Sequence, residues 1–383
     1  MNPRDVTLFI DPISHHFLQN EMFNPNSPFN RDNCHAPYFY MREVLQSKGI
    51  EVHTADYLMS GEKANKTNVY FSFETLKNFK ELAKRKDTIL SGFITIEAPI
   101  VHPSTYRALP EVSKYFKRVY AYSTGEALEH FGCGGLKFEK FFIPQPYNQV
   151  FDELWSRKDR KFLTMVVANK LPRINWNELF TERYRVLEFF SQYGEIDLYG
   201  KGWDQMPYRV GEFWAPATAM RLYRFVRENI PFVPRHPIEK VLRQVYKGAV
   251  KSKYEVMSHY AFAFCYENMV LKGWLNEKIF DAFYVGTIPI YWGATDVTDW
   301  IPEECFIDKR KYPTYTDLRS YLKSLSEKDI QRYKENARDF VSSGKFKPFS
   351  KQSFAKIFTD AIQQDLGLDA SVVQENVPSL SQT

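Results

Sequence analysis

Short apolar runs alternate with longer segments of helical periodicity along most of this chain, and this alternation restricts the fold more than any other feature. The apolar runs occupy residues 6–10, 50–55, 69–73, 88–96 and 118–122, and then residues 162–168, 195–199, 260–265 and 287–292. Segments between them, such as residues 37–48, 75–86, 110–116, 178–193 and 277–284, are predicted helices. Strands that alternate with helices in this way pair in parallel, so the sequence predicts an α/β fold with doubly wound parallel sheets.

The alternation is interrupted near the middle of the chain by residues 142–160, which contain two prolines and a charged run. A chain of 383 residues is also too long for one ordinary core. We therefore predict one α/β domain at residues 1–155 and a second at residues 156–345, followed by a C-terminal helix at residues 346–366 and a disordered tail at residues 367–383. Ligands of open parallel sheets bind beyond the carboxyl ends of the strands, which favours a site in a cleft between two facing domains.

The composition argues against several classes of protein. The net charge of +5 is small and the basic residues form no dense patch, which disfavours nucleic-acid binding and suits an anionic small-molecule ligand. The four cysteines are widely spaced and lack the pattern of a zinc site, so no metal is expected. Neither a signal-peptide pattern nor an apolar stretch of the ~20 residues that span a bilayer is found. We expect a cytoplasmic protein, with peripheral membrane contact through residues 345–349 as a second option.

The most informative segment is residues 260–293, which reads as strand, loop, helix and strand. Glu267 and Asn268 come directly after the first strand, and Asn276 is a predicted N-cap for a helix whose first turn carries Glu277 and Lys278. The free N–H groups and positive dipole end of a helix start suit a diphosphate, to which Lys278 adds a full charge. Glu277 is an acceptor suited to ribose hydroxyls. Taken singly, each of these residues is also common in ordinary helices, as a cap or as a surface charge.

The combination of three motifs in this segment is more specific than any one of them. They are Tyr266-Glu267-Asn268, Asn276-Glu277-Lys278 and Pro289-Ile290-Tyr291-Trp292-Gly293. The segment resembles the donor-binding signature of glycosyltransferase family 10, the α-1,3/4-fucosyltransferases. The resemblance implies a GT-B type architecture, in which two Rossmann-like doubly wound domains face a central cleft. The C-terminal domain of such a protein binds a GDP-sugar and the N-terminal domain binds the acceptor.

The resemblance also implies which residues contact the donor. Asn268, Glu277 and Lys278 are expected at the GDP moiety, and Trp274 lies where the family commonly has tyrosine. Arg185 is the preferred match to a diphosphate-binding arginine of the family, with Arg183 as the alternative, because guanidinium groups bind phosphate in a bidentate manner. Further upstream, the matching strand ends and turn place three more residues in the predicted donor site: Asn169, Tyr199 and Lys201.

In the N-terminal half, Glu97 follows the apolar run at residues 88–96, within a segment similar to a Glu-Ser-Pro segment of the family. A carboxylate at the carboxyl end of a strand can take the proton of an acceptor hydroxyl, which makes Glu97 the candidate general base. An ordinary loop carboxylate is the alternative interpretation.

The resemblance implies an inverting enzyme that transfers L-fucose from GDP-β-L-fucose to a hydroxyl of an acceptor glycan, with an α-1,3-type linkage. No Asp-x-Asp motif is present, so no obligatory cofactor or metal is expected. The alternatives are a transferase of the same fold that uses another GDP-sugar, and an inactive homologue that only binds glycans. The acceptor cannot be read from the fold or from the donor motif.

Overall fold

The computed structural model describes residues 2–211 and 238–367, together with residues 222, 225 and 226. The chain folds into two compact units. The N-terminal unit comprises the residues up to Glu97, residues 104–148 and the segment from Phe346 onward, and the C-terminal unit comprises Ala98–Pro103 and Gln149–Lys345. The division falls a few residues before the predicted boundary at residue 155, and the C-terminal helix belongs to the N-terminal unit. Residues 368–383 of the predicted tail lie outside the described residues.

The N-terminal unit is built on a parallel six-stranded sheet. Its strands are β1 (Val6–Asp11), β2 (Glu51–Thr54), β3 (Thr67–Phe73), β4 (Thr88–Ile94), β5 (Arg118–Ala121) and β6 (Glu139–Lys140). Its first helices are α1 (Ala36–Ser47), α2 (Ala55–Ser60), α3 (Phe79–Leu82) and α4 (Pro103–Val112). All six residues of β1 are buried, as expected for a central parallel strand that is covered on both faces.

The C-terminal unit contains a parallel five-stranded sheet and a separate two-stranded one. The strands are β7 (Lys161–Val166), β8 (Lys170–Pro172), β9 (Ile196–Tyr199), β10 (Tyr208–Val210), β11 (Tyr260–Tyr266), β12 (Ile288–Trp292) and β13 (Ile307–Asp308). The helices are α5 (Asp152–Trp155), α6 (Phe180–Ser191), α7 (Glu239–Val245), α8 (Lys253–Met257), α9 (Glu277–Tyr284), α10 (Tyr315–Ser324) and α11 (Glu327–Ser342). Side chains from β7, β11, β12 and α6 form the buried core of this unit.

The last described helix, α12 (Lys351–Leu366), returns to the N-terminal unit. Its Phe358 ring lies 4.7 Å from the ring of Phe71 in β3, and the side chain of Asp365 pairs with Arg118 at 2.9 Å. Within the described residues, no helix combines the length with the apolar composition that crossing a bilayer requires.

In each sheet, the direction in which the chain adds successive strands reverses near the middle of the sheet. The order is β2-β1-β3-β4-β5-β6 in the N-terminal unit and β9-β7-β11-β12-β13 in the C-terminal unit. In both units the first strand lies beside the third, so the chain winds outward in opposite directions from that pair. Ligands of open parallel sheets bind beyond the carboxyl ends of the strands at this switch point. The switch points lie between β1 and β3 and between β7 and β11.

Two helix predictions in the N-terminal half are wrong in extent or position. The helix predicted at residues 75–86 begins only at Phe79 in α3, because Asn78 has a positive φ angle of 65°, which helical residues do not adopt. The helix predicted at residues 110–116 begins earlier, because it is Pro103 that occupies the first helical position, where proline is favoured. Pro110 lies near the end of the same helix.

Candidate functional site

Glu267 is the first residue beyond β11 and lies at the switch point of the C-terminal sheet. Its side chain is fully buried. One carboxylate oxygen accepts the backbone N–H of Asn276 at 2.9 Å, and the other accepts Nζ of Lys278 at 3.0 Å and Nδ2 of Asn276 at 3.4 Å. A buried carboxylate therefore connects the end of β11 to the start of α9. Burial raises the pKa of Glu267, although the charge of Lys278 opposes the shift.

The start of α9 differs from what the sequence predicts. Asn276 occupies the N-cap position, but the predicted capping hydrogen bond is absent, because its amide donates to Glu267 instead. The next two helices are capped fully, by Thr314 with Asp317 in α10 and by Ser326 with Asp329 in α11. The first-turn N–H groups of α9 consequently receive no cap from Asn276, which leaves them suited to an anionic ligand.

Lys278 and Glu277 lie in the first turn of α9. Nζ of Lys278 is 3.0 Å from Glu267 and 3.3 Å from Glu277. Burial alone would lower the pKa of Lys278, but the two carboxylates outweigh burial and raise it above its usual range. The Lys278 side chain is 19% exposed and that of Glu277 is 44% exposed, so both can be reached from solvent.

Of the two candidate arginines, the structure brings Arg183 to this cluster and does not bring Arg185. Arg183 is buried in α6, and its Nη2 donates to the carbonyl oxygens of Tyr266 and Glu267 and to Oδ1 of Asn268. Burial lowers the pKa of Arg183 to about 10. Arg185 is exposed on the same helix and pairs with Glu182, one turn before it. Arg183, the alternative to Arg185 in the sequence-based prediction, is thus the arginine at the end of β11. The two differ because a step of two residues turns a helical side chain to a different face.

The three upstream candidates occupy different environments. Asn169 is buried after β7, and its amide holds a loop, because Nδ2 donates to the carbonyl oxygens of Gly202 and Gln205 while Oδ1 accepts the hydroxyl of Tyr184. The hydroxyl of Tyr199 lies 3.0 Å from that of Tyr260, the first residue of β11. The hydroxyl of Tyr199 is therefore engaged with a residue of β11.

Lys201 is exposed in the turn after β9, and its carbonyl oxygen accepts the backbone N–H of Asn169. The side-chain amide of Asn169 thus shapes this turn, whereas Lys201 presents its side chain to solvent. Of the three upstream candidates, Lys201 is the only exposed one.

Trp274, which lies where the family commonly has tyrosine, is buried and offers no surface on which a ligand could stack. Only 1% of the residue is exposed, and its carbonyl oxygen lies 3.5 Å from the hydroxyl of Tyr291 in β12. A ring without exposed surface packs in the core and supports the loop before α9.

In the N-terminal unit, Glu97 lies three residues beyond the end of β4 and is half-buried. Its backbone N–H is 2.7 Å from Oε1 of Glu74, and its carbonyl oxygen accepts the hydroxyl of Tyr106 at 2.8 Å. Side chains thus hold both backbone groups of the candidate base, and the loop that carries it is fixed on two sides.

Two charged residues at strand ends were missed in the sequence analysis. Asp11 ends β1 at the switch point of the N-terminal sheet, and burial raises its pKa to about 6, against the hydrogen bond that the Tyr70 hydroxyl donates at 2.5 Å. Lys309 follows β13, and its Nζ lies 5.3 Å from the ring centroid of Trp292 and 4.9 Å from that of Tyr315. The available signal was the same for both, a charged residue at the end of a short apolar run.

Within the described residues, no group of three or more histidine, cysteine, aspartate or glutamate side chains is arranged to hold a metal ion. The charged groups at the end of β11 are two carboxylates, Glu267 and Glu277, and two cations, Lys278 and Arg183. This arrangement can bind an anion through hydrogen bonds from the helix start and the cations.

A family model matches part of the C-terminal unit. Residues 237–343 match the model of glycosyltransferase family 10 (fucosyltransferase), C-terminal region, which confirms the resemblance inferred from the motifs. An α-(1,4)-fucosyltransferase of Arabidopsis thaliana is 36% identical over 74 residues, which cover 19% of this chain and 18% of the relative. The α-(1,3)-fucosyltransferase FucT of Helicobacter pylori is 37% identical over 76 residues, which cover 20% of this chain and 16% of the relative. The matched segments span less than a fifth of either relative.

A comparison with solved structures covers both units. An α-glucosyltransferase solved in complex with UDP and a 13-mer DNA matches 94% of this chain and 99% of its own, with a TM-score of 0.53 and 10% sequence identity. At that identity the match shows the fold alone. Together with the two parallel sheets, it confirms the predicted α/β fold of the GT-B type.

Proposed function

Because residues 237–343 carry the C-terminal domain of glycosyltransferase family 10 (fucosyltransferase), we propose that this chain transfers L-fucose from GDP-β-L-fucose to a hydroxyl of an acceptor glycan. The observation that carries the proposal is the start of α9. An uncapped helix begins at the carboxyl end of the C-terminal sheet, and a buried glutamate fixes the lysine of its first turn. Helix starts of this kind bind phosphate groups.

The donor nucleotide occupies the C-terminal unit in this proposal. The first-turn N–H groups of α9 and Lys278 bind the diphosphate, and the half-exposed carboxylate of Glu277 accepts hydroxyls of the ribose. Arg183 supports Asn268 beside them and adds a second positive charge. Lys201, exposed in the turn after β9, is a further cation of the proposed donor site.

The transfer is a single displacement. The carboxylate of Glu97 takes the proton of the acceptor hydroxyl, the hydroxyl oxygen forms a bond to the anomeric carbon, and the bond from that carbon to the β-phosphate oxygen breaks. The electron pair of the broken bond leaves with GDP, and the configuration changes from β to α. Lys278, Arg183 and the helix N–H groups stabilise the charge that develops on the diphosphate, so no metal is required.

The linkage is less constrained than the donor. The two relatives carry the names of an α-(1,4)- and an α-(1,3)-fucosyltransferase, although they match the chain over similar lengths. An α-1,3-type linkage is the proposal, and the same residues would serve an attack by another hydroxyl of the acceptor. An oligosaccharide is the proposed acceptor, because the linkages in both of these names are to hydroxyls of a sugar.

The test is a donor and acceptor screen with the full chain. GDP-fucose and GDP-mannose are each incubated with a mixture of oligosaccharides, and released GDP and the masses of the products are measured. The proposal requires GDP release from GDP-fucose with a deoxyhexose added to an oligosaccharide, and Glu97→Gln should lower this rate by about 10²–10⁴-fold while GDP affinity stays unchanged. Transfer from GDP-mannose alone would identify another GDP-sugar transferase. Binding of an oligosaccharide without transfer from either donor would identify a glycan-binding homologue.

A further inference from the structure

The side chain of Glu74 contacts the backbone of Glu97, the candidate base. Glu74 is the first residue beyond β3, is 6% exposed, and accepts the backbone N–H groups of both Ile96 and Glu97 with one carboxylate oxygen. The hydroxyl of Tyr106 donates to the carbonyl oxygen of Glu97 at 2.8 Å. The loop after β4 is therefore held by two hydrogen bonds from backbone N–H groups to one side-chain oxygen of Glu74.

The backbone of Glu74 adopts a conformation that is unusual for glutamate. Its φ angle is 59°, in the left-handed region that glycine occupies without cost and that glutamate seldom adopts. A residue held in this conformation persists only where its surroundings favour it, and such residues cluster at functional sites. Burial of a carboxylate adds a second cost, which the two backbone N–H groups offset.

The C-terminal unit has a glutamate in the equivalent place. Each sheet has its third strand beside its first, and the residue directly after that third strand is Glu74 in one unit and Glu267 in the other. The preceding residues are also alike, Phe71-Ser72-Phe73 and Phe264-Cys265-Tyr266. Both glutamates are buried, and both accept backbone N–H groups from the functional segment of their own unit.

We propose that Glu74 is a positioning residue that fixes the backbone of Glu97, so that the carboxylate of Glu97 meets the acceptor hydroxyl in one orientation. The proposal rests on the proposed function, in which Glu97 is the general base. The proposal requires the side chain at position 74 to be long enough to reach the backbone N–H groups of the loop, and it does not require a negative charge there. A side chain that still offers an oxygen at this place holds the loop, and a shorter side chain does not. Small errors in the placement of a base are costly to the rate.

Two variants separate the effect of side-chain length at position 74 from the effect of its charge. Glu74→Gln keeps the length and an acceptor oxygen but loses the charge, whereas Glu74→Asp keeps the charge but withdraws the oxygen by one methylene. Turnover of GDP-fucose with the oligosaccharide mixture, GDP affinity and thermal midpoint are measured for both. We expect Glu74→Gln to keep kcat within about threefold of the parent and Glu74→Asp to lose about tenfold or more, with GDP affinity unchanged in both.

Asp87→Ala provides a matched control for stability. Asp87 precedes β4 at its amino end, where its carboxylate binds Arg85 and Asn68, so this variant disturbs the opposite end of the same strand. It should lower the thermal midpoint without lowering kcat. A Glu97→Gln,Glu74→Asp double variant should be no slower than Glu97→Gln, because the two residues act as one unit.

The outcomes distinguish failure of this proposal from failure of the proposed function. Glu74 has no positioning role if Glu74→Asp keeps the parental kcat, as Asp87→Ala should, while Glu97→Gln lowers kcat strongly. The transferase proposal stands in that case. If Glu74→Gln lowers kcat and Glu74→Asp keeps it, the rate depends on the negative charge at position 74. The proposed positioning by side-chain length is then refuted. If Glu97→Gln turns over at the parental rate, the base itself is misassigned.

Discussion

Nζ of Lys278 lies 3.0 Å from Oε2 of Glu267, whose side chain has no exposed surface. The lysine that the sequence analysis assigns to the diphosphate is therefore already paired in the ligand-free protein. Its second neighbour, Glu277, lies 3.3 Å away. A lysine paired in this way is held in one place and kept protonated, because the carboxylates raise its pKa. The pairing pre-organises the cation and reduces the net charge that it offers to a ligand.

At the end of β11, two sources of phosphate affinity then remain besides Lys278. The first-turn N–H groups of α9 have no cap from Asn276, and Arg183 adds a buried positive charge at the end of β11. The affinity for nucleotide should therefore depend on the helix start and Arg183 together, and not on the lysine alone.

The first prediction compares the two arginines of α6. Arg183→Ala should weaken GDP binding by about tenfold or more, because it removes a cation and releases Asn268, whereas Arg185→Ala should change it by less than about twofold. Calorimetric titration with GDP measures both, below the thermal midpoint of each variant. A larger loss with Arg185→Ala would restore the alignment preferred in the sequence analysis.

The second prediction concerns stability and Arg160. Its guanidinium donates to the carbonyl oxygens of Leu154, Trp155 and Val285 at 2.8–2.9 Å, and it reaches Tyr260 as well. Arg160→Ala should lower the free energy of unfolding by at least about 3 kcal/mol, since several carbonyl groups lose their donor together.

Two further variants control the Arg160 measurement. Arg160→Lys should recover only part of the loss, because an ammonium group cannot reproduce the planar fork of donors. Arg243→Ala removes an exposed arginine from a pair with Glu239, and should cost less than about 0.5 kcal/mol. Urea unfolding provides the comparison, and an equal loss in Arg160→Ala and Arg243→Ala would contradict the buried role.

The third prediction is a pH dependence that arises from Asp11. Burial raises the folded-state pKa of Asp11 from 3.8 to about 6, so the folded protein binds more protons than the unfolded chain between these values. The stabilising contribution of this carboxyl is present below pH 3.8 and is lost as the pH rises through 6. Asp11→Asn keeps an acceptor for the Tyr70 hydroxyl and should be more stable than the parent by up to about 3 kcal/mol above pH 6, and equal to it near pH 4.

Asp87→Asn provides the control of opposite sign. The hydrogen bonds from Arg85 hold the pKa of Asp87 down at about 2, so its contribution is present above pH 3.8 and is lost as the pH falls. This variant should be less stable than the parent at neutral pH. Unfolding curves at several pH values measure both effects, and an Asp11→Asn advantage that grows toward low pH would contradict the assignment.

The fourth prediction concerns metal removal. If charge on the leaving diphosphate is stabilised by Lys278, Arg183 and the helix start, a chelator in excess should leave the rate of GDP release within about twofold. The measurement is made on dialysed protein with and without added Mg²⁺. Loss of activity with EDTA that Mg²⁺ restores would show that the diphosphate needs a metal ion.

The alternation of strands and helices was sufficient to predict both sheets, because buried parallel strands appear in a sequence as continuous apolar runs. Local backbone conformation was harder to predict. The positive φ angle of Asn78 shortens the helix predicted at residues 75–86, and the sequence gives no sign of the positive φ angle of Glu74, because glutamate seldom adopts it. The two-residue strand β6 and the short pair of β8 and β10 are also too brief to show a period.

The candidate site shows the same limit. The motif identified the segment around Lys278, but the competition of Glu267 for Asn276 depends on a contact between residues nine positions apart. The choice between Arg183 and Arg185 depends on which face of α6 meets β11, and both faces carry an arginine. The sequence alone identifies the helix, and tertiary packing selects the side chain.

The most direct test of the central claim is a crystal structure of the full chain grown with GDP. The account predicts that the diphosphate lies within hydrogen-bond reach, about 3 Å, of the first-turn N–H groups of α9 and of Nζ of Lys278. Nucleotide bound elsewhere, with the start of α9 contacting no phosphate, would contradict it.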